Sequence, residues 1–352
     1  MKRAIVGSAS GLLVLIALMH SSGHLQAEDK CPPAAGLNYV CGPVGAEDLV
    51  RIPGTHWIIG SGMAENNSPG KLHLIDADKK SWDILYPGKS VQNELDAISY
   101  PECYGPPDAA KFGAHGIAIR DDGSRRSTVL AVNHGREAIE VFKLNAAGDR
   151  PAIRWIGCIP MDETIYVNSV AFLPGDGFVF TKFYDPRARP AFGNNTGLKP
   201  TGGVFEWHPE TGVRPIAGTE LSFANGIVSS KDGGALYVAA WGTQELVRFT
   251  RRKDSIEKDV VKIDFSPDNL RWAPDGKILV AGQTRSSSPA GGMSAFKGWI
   301  VAELDPETMK LSEVLKDHGE SPLQNASVAI DVDGTLWIGS FRADRVAYKP
   351  AE

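Results

Sequence analysis

Residues Phe223 to Trp241 read FANGIVSSKDGGALYVAAW. Two apolar-rich runs flank Asp232-Gly233, a dipeptide suited to a tight reversal, and this predicts two adjacent antiparallel strands. Asn225 and Gly226 stand at the head of the first run, where a buried strand would favour Val or Ile. One carboxamide at a strand start is ordinary. It becomes informative only if other segments of the chain do the same.

The hairpin recurs. IAIRDDGSRRSTVLAVNH, VAFLPGDGFVFTKF, LRWAPDGKILVAG and VAIDVDGTLWIGSF each carry an apolar run, a glycine-containing turn and a second apolar run, and DLVRIPGTHWIIGSG is a looser copy. The turn glycines are Gly54, Gly123, Gly177, Gly233, Gly276 and Gly334, with spacings of 69, 54, 56, 43 and 58 residues. A period of this length fits one four-stranded sheet plus loops per repeat. Helical periodicity is scarce and strand signals are dense. The expectation is an all-β, six-bladed β-propeller with four-stranded blades around a central metal-binding channel, spanning 28–352 as a single domain.

Seven to nine residues before each turn glycine stands a polar group: Glu47 with Asp48, His115, Asn168, Asn225, Asp268 with Asn269, and Ser327. In a propeller the same point of each innermost strand lies on one ring around the channel, so these residues are expected to converge. A polar residue at a single strand start can equally cap a loop or bind channel water. The set is more telling, because two carboxylates (Glu47, Asp268) and three carboxamides (Asn168, Asn225, Asn269) are hard oxygen donors that need a cation to offset their repulsion. Such ligands suit Ca²⁺ better than zinc or copper. With about two negative charges, they would leave the ion able to polarise a substrate oxygen.

His115 opens HGIAIR and His134 follows VLAVN on the partner run of the same hairpin. Both strand ends opposite the turn come together, so the two imidazoles are expected to meet at the channel mouth and move a proton near neutral pH. A solvent-facing His134 is the alternative that pattern alone leaves open. The chain has no GxSxG elbow, no P-loop and no HExxH.

The first 27 residues, with Lys2 and Arg3 before an apolar stretch from Gly11 to Met19, read as a signal peptide, so a secreted or periplasmic protein is expected. That stretch is too short to span a bilayer, and no transmembrane segment is expected in the mature chain. Without Lys2 and Arg3 the formal charge goes from −5 to −7, which argues against nucleic acid as a partner. In an oxidising compartment the cysteines Cys31, Cys41, Cys103 and Cys158 should form disulfides. Four cysteines allow three pairings, and Cys31–Cys41 with Cys103–Cys158 is the expectation.

The stretches GAEDLVRIPG, NSPGKLHLID, HGIAIR, VLAVNHGREAIEVFKL, FANGIVSSKDGGALYVA and DNLRWAPDGKILVAG resemble the paraoxonase/arylesterase family of calcium-dependent, six-bladed-propeller lactonases. The resemblance runs from about Gly45 to Gly282, with a weaker echo in NASVAIDVDGTLWIGSF. It implies a catalytic Ca²⁺ held by Glu47, Asn168, Asn225, Asp268 and Asn269, with His115 as general base and His134 as its partner. The expected substrate is a small ester or lactone. A second, structural ion would use Asp48 and the backbone carbonyl of Ile117.

Three departures stand out. Ser169 occupies the place of a family aspartate that binds the second ion. No cysteine near the C-terminus is available to join the chain ends, so ring closure should rest on hydrogen bonds. The segment TKFYDPRARPAFGNNTG does not match the family's loop over the site, so substrate preference does not transfer. Gluconolactonase-like propellers share the ring but not the histidine pair. A propeller that binds a ligand or a protein without catalysis is the alternative of a different class, and strictosidine-synthase-like propellers show that this fold hosts other chemistry.

Overall fold

A computed structural model describes Met1 and residues 31–64, 68–88, 91–188, 199–285 and 296–350. The expected signal peptide, apart from Met1, and the second half of the segment without a family counterpart (189–197) lie outside these residues. The unit from Cys31 onward is built from strands.

A short strand β1 (Asn38–Cys41) precedes the first blade, β2 (Ala46–Arg51), β3 (Trp57–Gly62), β4 (Lys71–Asp76) and β5 (Ser81–Tyr86). Blade two has β6 (Gln92–Asn93), β7 (Ala114–Gly123), β8 (Arg126–Asn133), β9 (Ala138–Asn145) and β10 (Ala152–Pro160), with β6 as an added parallel edge on β10. Blade three is β11 (Tyr166–Phe172), β12 (Phe178–Tyr184), β13 (Gly203–His208) and β14 (Gly212–Pro215). Blade four is β15 (Ala224–Ser229), β16 (Ala235–Ala240), β17 (Glu245–Arg251) and β18 (Ile256–Lys262). Blade five is β19 (Ser266–Trp272), β20 (Ile278–Arg285), β21 (Phe296–Leu304) and β22 (Leu311–Asp317). The last blade has β23 (Ala326–Val332), β24 (Thr335–Ser340) and β25 (Arg345–Pro350), and β1 completes it as the fourth strand. This is a six-bladed β-propeller, as the repeated hairpins predict.

The strands β2, β7, β11, β15, β19 and β23 are the inner edges of their sheets, and each touches the next around a closed ring. Apolar clusters fill the wedges between neighbouring blades, for instance Ile59, Leu74, Val129 and Trp155 between blades one and two. Burying one such side chain stabilises by about 1.5–3 kcal/mol, and that term holds the blades face to face. Closure rests on hydrogen bonding between the chain ends, with Asn38 opposite Tyr348 and Cys41 opposite Arg345. The two disulfides are Cys31–Cys41 and Cys103–Cys158, the pairing expected from the sequence.

Five of the six turn glycines, Gly54, Gly123, Gly233, Gly276 and Gly334, adopt the positive φ that a tight reversal demands. In blade three that role falls to Gly175 rather than Gly177. Pro174 fixes the preceding φ, so the reversal sits two residues earlier than the repeat suggests.

Candidate functional site

Every inner strand breaks register with its neighbour at the same place. The ladder shifts between Ala46 and Asp48, Ala114 and Ile117, Val167 and Val170, Ala224 and Ile227, Pro267 and Leu270, and Ala326 and Val328. The residues inside these shifts are Glu47, His115 with Gly116, Asn168 with Ser169, Asn225 with Gly226, Asp268 with Asn269, and Ser327. A β-bulge bends the strand and re-aims a side chain out of the usual alternation. The polar residues that interrupt apolar runs are thus the residues left unpaired by the ladder. Asn225 answers the oddity of its hairpin in this way. The glycines beside these residues have a second reason: a Cβ on Gly116 would lie 2.3 Å from the Asn168 carbonyl oxygen, and one on Gly226 would lie 2.4 Å from that of Asp268.

All of these residues are buried. Asn269 Nδ2 donates to Glu47 Oε1 at 2.5 Å, bringing blades five and one together across the channel. Gln283 Nε2 donates to Asp268 Oδ2 at 2.7 Å, and its own Oε1 accepts from Trp241 Nε1 at 3.1 Å. Ser327 Oγ donates to the Glu47 carbonyl at 2.7 Å. Burial first, and then the charge of Glu47, push the Asp268 carboxyl well above the usual carboxylate range, while Gln283 pulls it back.

Four buried oxygens in this group have no hydrogen-bond partner: Glu47 Oε2, Asn168 Oδ1, Asn225 Oδ1 and Asn269 Oδ1. Leaving one such atom unsatisfied costs about 1–3 kcal/mol, and four in one ring is a large penalty unless a cation meets them. Among the described residues no three His, Cys, Asp or Glu side chains gather as a metal cluster. The donors here are mostly carboxamides, which suit a hard cation rather than a thiophilic one. The residues present therefore fit a bound oxygen-seeking ion.

Beside the ring, His115 Nε2 lies 3.6 Å from Glu47 Oε1, and His115 Nδ1 lies 2.6 Å from His134 Nε2. The sequence placed the two histidines near each other, and they touch. It did not reveal Glu137, whose Oε1 lies 2.6 Å from His134 Nδ1. The signal was available in NHGRE, an acid three residues after the histidine, yet a turn between strands gives no periodicity from which to predict that contact. The His134 ring also stacks on Tyr166, with centroids 4.0 Å apart, and Tyr166 stacks on Tyr184 at 4.7 Å. Asn133 holds the turn by accepting from Gly113 N and Gly135 N.

A carboxylate only accepts, so His134 carries its proton on Nδ1 and offers the Nε2 lone pair to the His115 Nδ1–H. His115 Nε2, next to Glu47, is then the free basic nitrogen. Burial depresses the His115 pKa, but the carboxylates of Glu47, Asp268 and Asp48 outweigh it and raise the value overall. For His134 burial wins over the Glu137 contact, and its pKa is lowered.

Asp48 points elsewhere. Its Oδ1 accepts from Leu49 N, and its Oδ2 accepts from Ile117 N at 2.9 Å and from the Arg271 guanidinium. Arg271 went unnoticed in the sequence, although a charge between Leu270 and Trp272 on an inner strand is itself unusual.

The comparisons with known proteins agree with this architecture. The arylesterase family model matches residues 44–348. Regucalcin from Agrobacterium tumefaciens str. C58, a calcium-binding protein, superposes with a TM-score of 0.55 at 12% identity, over 91% of this chain and 95% of that one. A gluconolactonase from Xanthomonas campestris does so at 0.52 and 15% identity, over 92% and 96%. An aldose sugar dehydrogenase from Streptomyces coelicolor, with pyrroloquinoline quinone bound, reaches 0.52 at 13% identity, over 90% and 98%. At these identities the likeness is one of fold. No match was found among curated protein sequences. With a buried oxygen ring, a touching histidine pair and the family match over most of its length, the chain belongs to the arylesterase family, which supports hydrolase chemistry on an ester or lactone.

Proposed function

We propose that the protein is an exported, calcium-dependent hydrolase of lactones or aryl esters. The observation that carries this reading is the set of four unpartnered buried oxygens, from Glu47, Asn168, Asn225 and Asn269, next to the paired histidines. Glu47, Asn168, Asn225, Asp268 and Asn269 would hold Ca²⁺, which when bound polarises a carbonyl oxygen and favours the developing oxyanion.

The chain's own groups handle the proton. His115 Nε2 takes it from a water molecule as that water attacks the ester carbon. Positive charge on the His115 ring is met by His134 through the Nδ1–H bond, and Glu137 in turn favours a more basic His134. The same proton leaves His115 to the departing alkoxide or phenoxide when the ester bond breaks. Tyr166 stacks on one face of His134 and keeps the ring oriented. The two disulfides support a location outside the reducing cytosol, and among the described residues no helix is long and apolar enough to cross a membrane.

The test is hydrolysis of phenyl acetate and a panel of lactones by the purified protein, with calcium, after chelation, and after calcium is restored. Activity that is lost with the chelator and returns with calcium supports the proposal. Folded, calcium-loaded protein that turns over none of these compounds would favour a propeller that binds without catalysing.

A further inference from the structure

A second cation, as the family resemblance implies it, would lie between the Asp48 carboxylate and the Ile117 carbonyl, with an aspartate where this chain has Ser169. Those oxygens already have a cationic partner. Arg271, on β19, is 9% exposed, and its guanidinium reaches into the space between blades one and two. Nη2 donates to Asp48 Oδ2 and, at 2.8 Å, to the Ile117 carbonyl. Nε donates to the Leu49 carbonyl at 2.9 Å, and Nη1 donates to its own neighbour, the Leu270 carbonyl, at 2.9 Å.

The residues do not fit an ion here. Ion and guanidinium would compete for the same Asp48 and Ile117 oxygens, and a divalent cation would sit against a fixed positive charge. Ser169 contributes no charge, and its buried hydroxyl has no hydrogen-bond partner. One arginine against one carboxylate is neutral, whereas Asp48 alone cannot neutralise a divalent ion.

We propose that Arg271 is a built-in cation standing where a second ion would otherwise lie, so that the protein binds no ion at Asp48 and Ile117. The guanidinium ties the inner strands of blades one, two and five together whatever the calcium concentration. Because Asp48 follows Glu47, it also positions the strand that presents Glu47 to the ring. The proposal rests on the reading above only for the one ion expected in that ring.

The test counts ions per folded chain, by elemental analysis and native mass spectrometry, after calcium saturation and removal of free calcium. Wild-type protein is expected to carry one, and two would overturn the proposal. None would instead sink the ring reading while agreeing with an ion-free second site, so the two failures are distinguishable. Arg271→Met should lower the thermal midpoint by roughly 5–10 °C, because Asp48 is left buried and unpaired. Arg271→Lys should recover only part of this loss, since an ammonium lacks the planar fork that spans several acceptors. Arg271→Met combined with Ser169→Asp should carry one more ion than wild type. A folded double variant that gains none, or an unchanged midpoint in Arg271→Met, also overturns the proposal. If neither variant folds, the wild-type count decides.

Discussion

Glu137 Oε1 lies 2.6 Å from His134 Nδ1, at the far end of a hydrogen-bonded line that begins at His115. Glu137→Gln removes the negative charge that offsets the burial cost of positive charge on His134. Turnover should fall by about 10–100-fold, with KM nearly unchanged, as for other orienting partners of a working histidine. Steady-state kinetics on phenyl acetate measures this split. An effect confined to KM would count against the relay.

His115→Gln keeps the size of a polar side chain near Glu47 but leaves no base. The expected loss in turnover is about 10²–10⁴-fold, with the circular dichroism of the folded protein intact. Calcium affinity should change little, because His115 is not among the proposed ligands. Isothermal titration with calcium checks that half of the prediction.

The pH dependence follows from the raised pKa of His115 in the ion-free ring. A histidine whose folded pKa exceeds its unfolded value adds stability that is full below about pH 6.5 and fades as pH rises through the folded pKa. Urea midpoints of calcium-free protein should therefore show wild type losing stability relative to His115→Gln as pH rises above about 6.5. Bound calcium offsets the carboxylates, so the acid limb of the rate profile should lie below the pKa read by NMR on the calcium-free protein.

Gly226→Ala tests the close packing of the inner strands. The added methyl would meet the Asp268 carbonyl oxygen at 2.4 Å, and backbone is poor at giving way. Overpacking of this kind costs about 1–3 kcal/mol, seen as a lowered urea midpoint. Because the strain falls on Asp268, calcium affinity should drop as well. Gly54→Ala has open space around its Cβ and serves as the comparison, its penalty arising from φ alone.

Much of the fold was legible because hairpins write themselves locally: a turn glycine between two apolar runs needs no knowledge of the rest of the chain. The ring residues could be found because the repeat gives them a common register, so Asn225 and Asn168 identify each other although 57 residues separate them. The bulges were not legible. A ladder shift depends on two strands, and only the polar residue it displaces leaves a mark in the sequence. Arg271 and Glu137 were missed for related reasons. Arg271 finds its partners 154 and 223 residues away, in blades brought together only by closure of the ring. Glu137 sits in a turn, and the Pro174-Gly175 reversal shows how easily such segments depart from a repeat.

The pairing of β1 with β25 sets an order of events. β1 precedes the first blade in the chain, yet its ladder partner β25 follows every other described strand, since Asn38 faces Tyr348. Until β25 is made, β1 is unpaired and β24 has an open edge, the kind of edge that invites pairing with another chain. The last blade of such a protein closes only after β25 has been made. Chains that stop before β25 should be the ones that aggregate, even when five blades are complete.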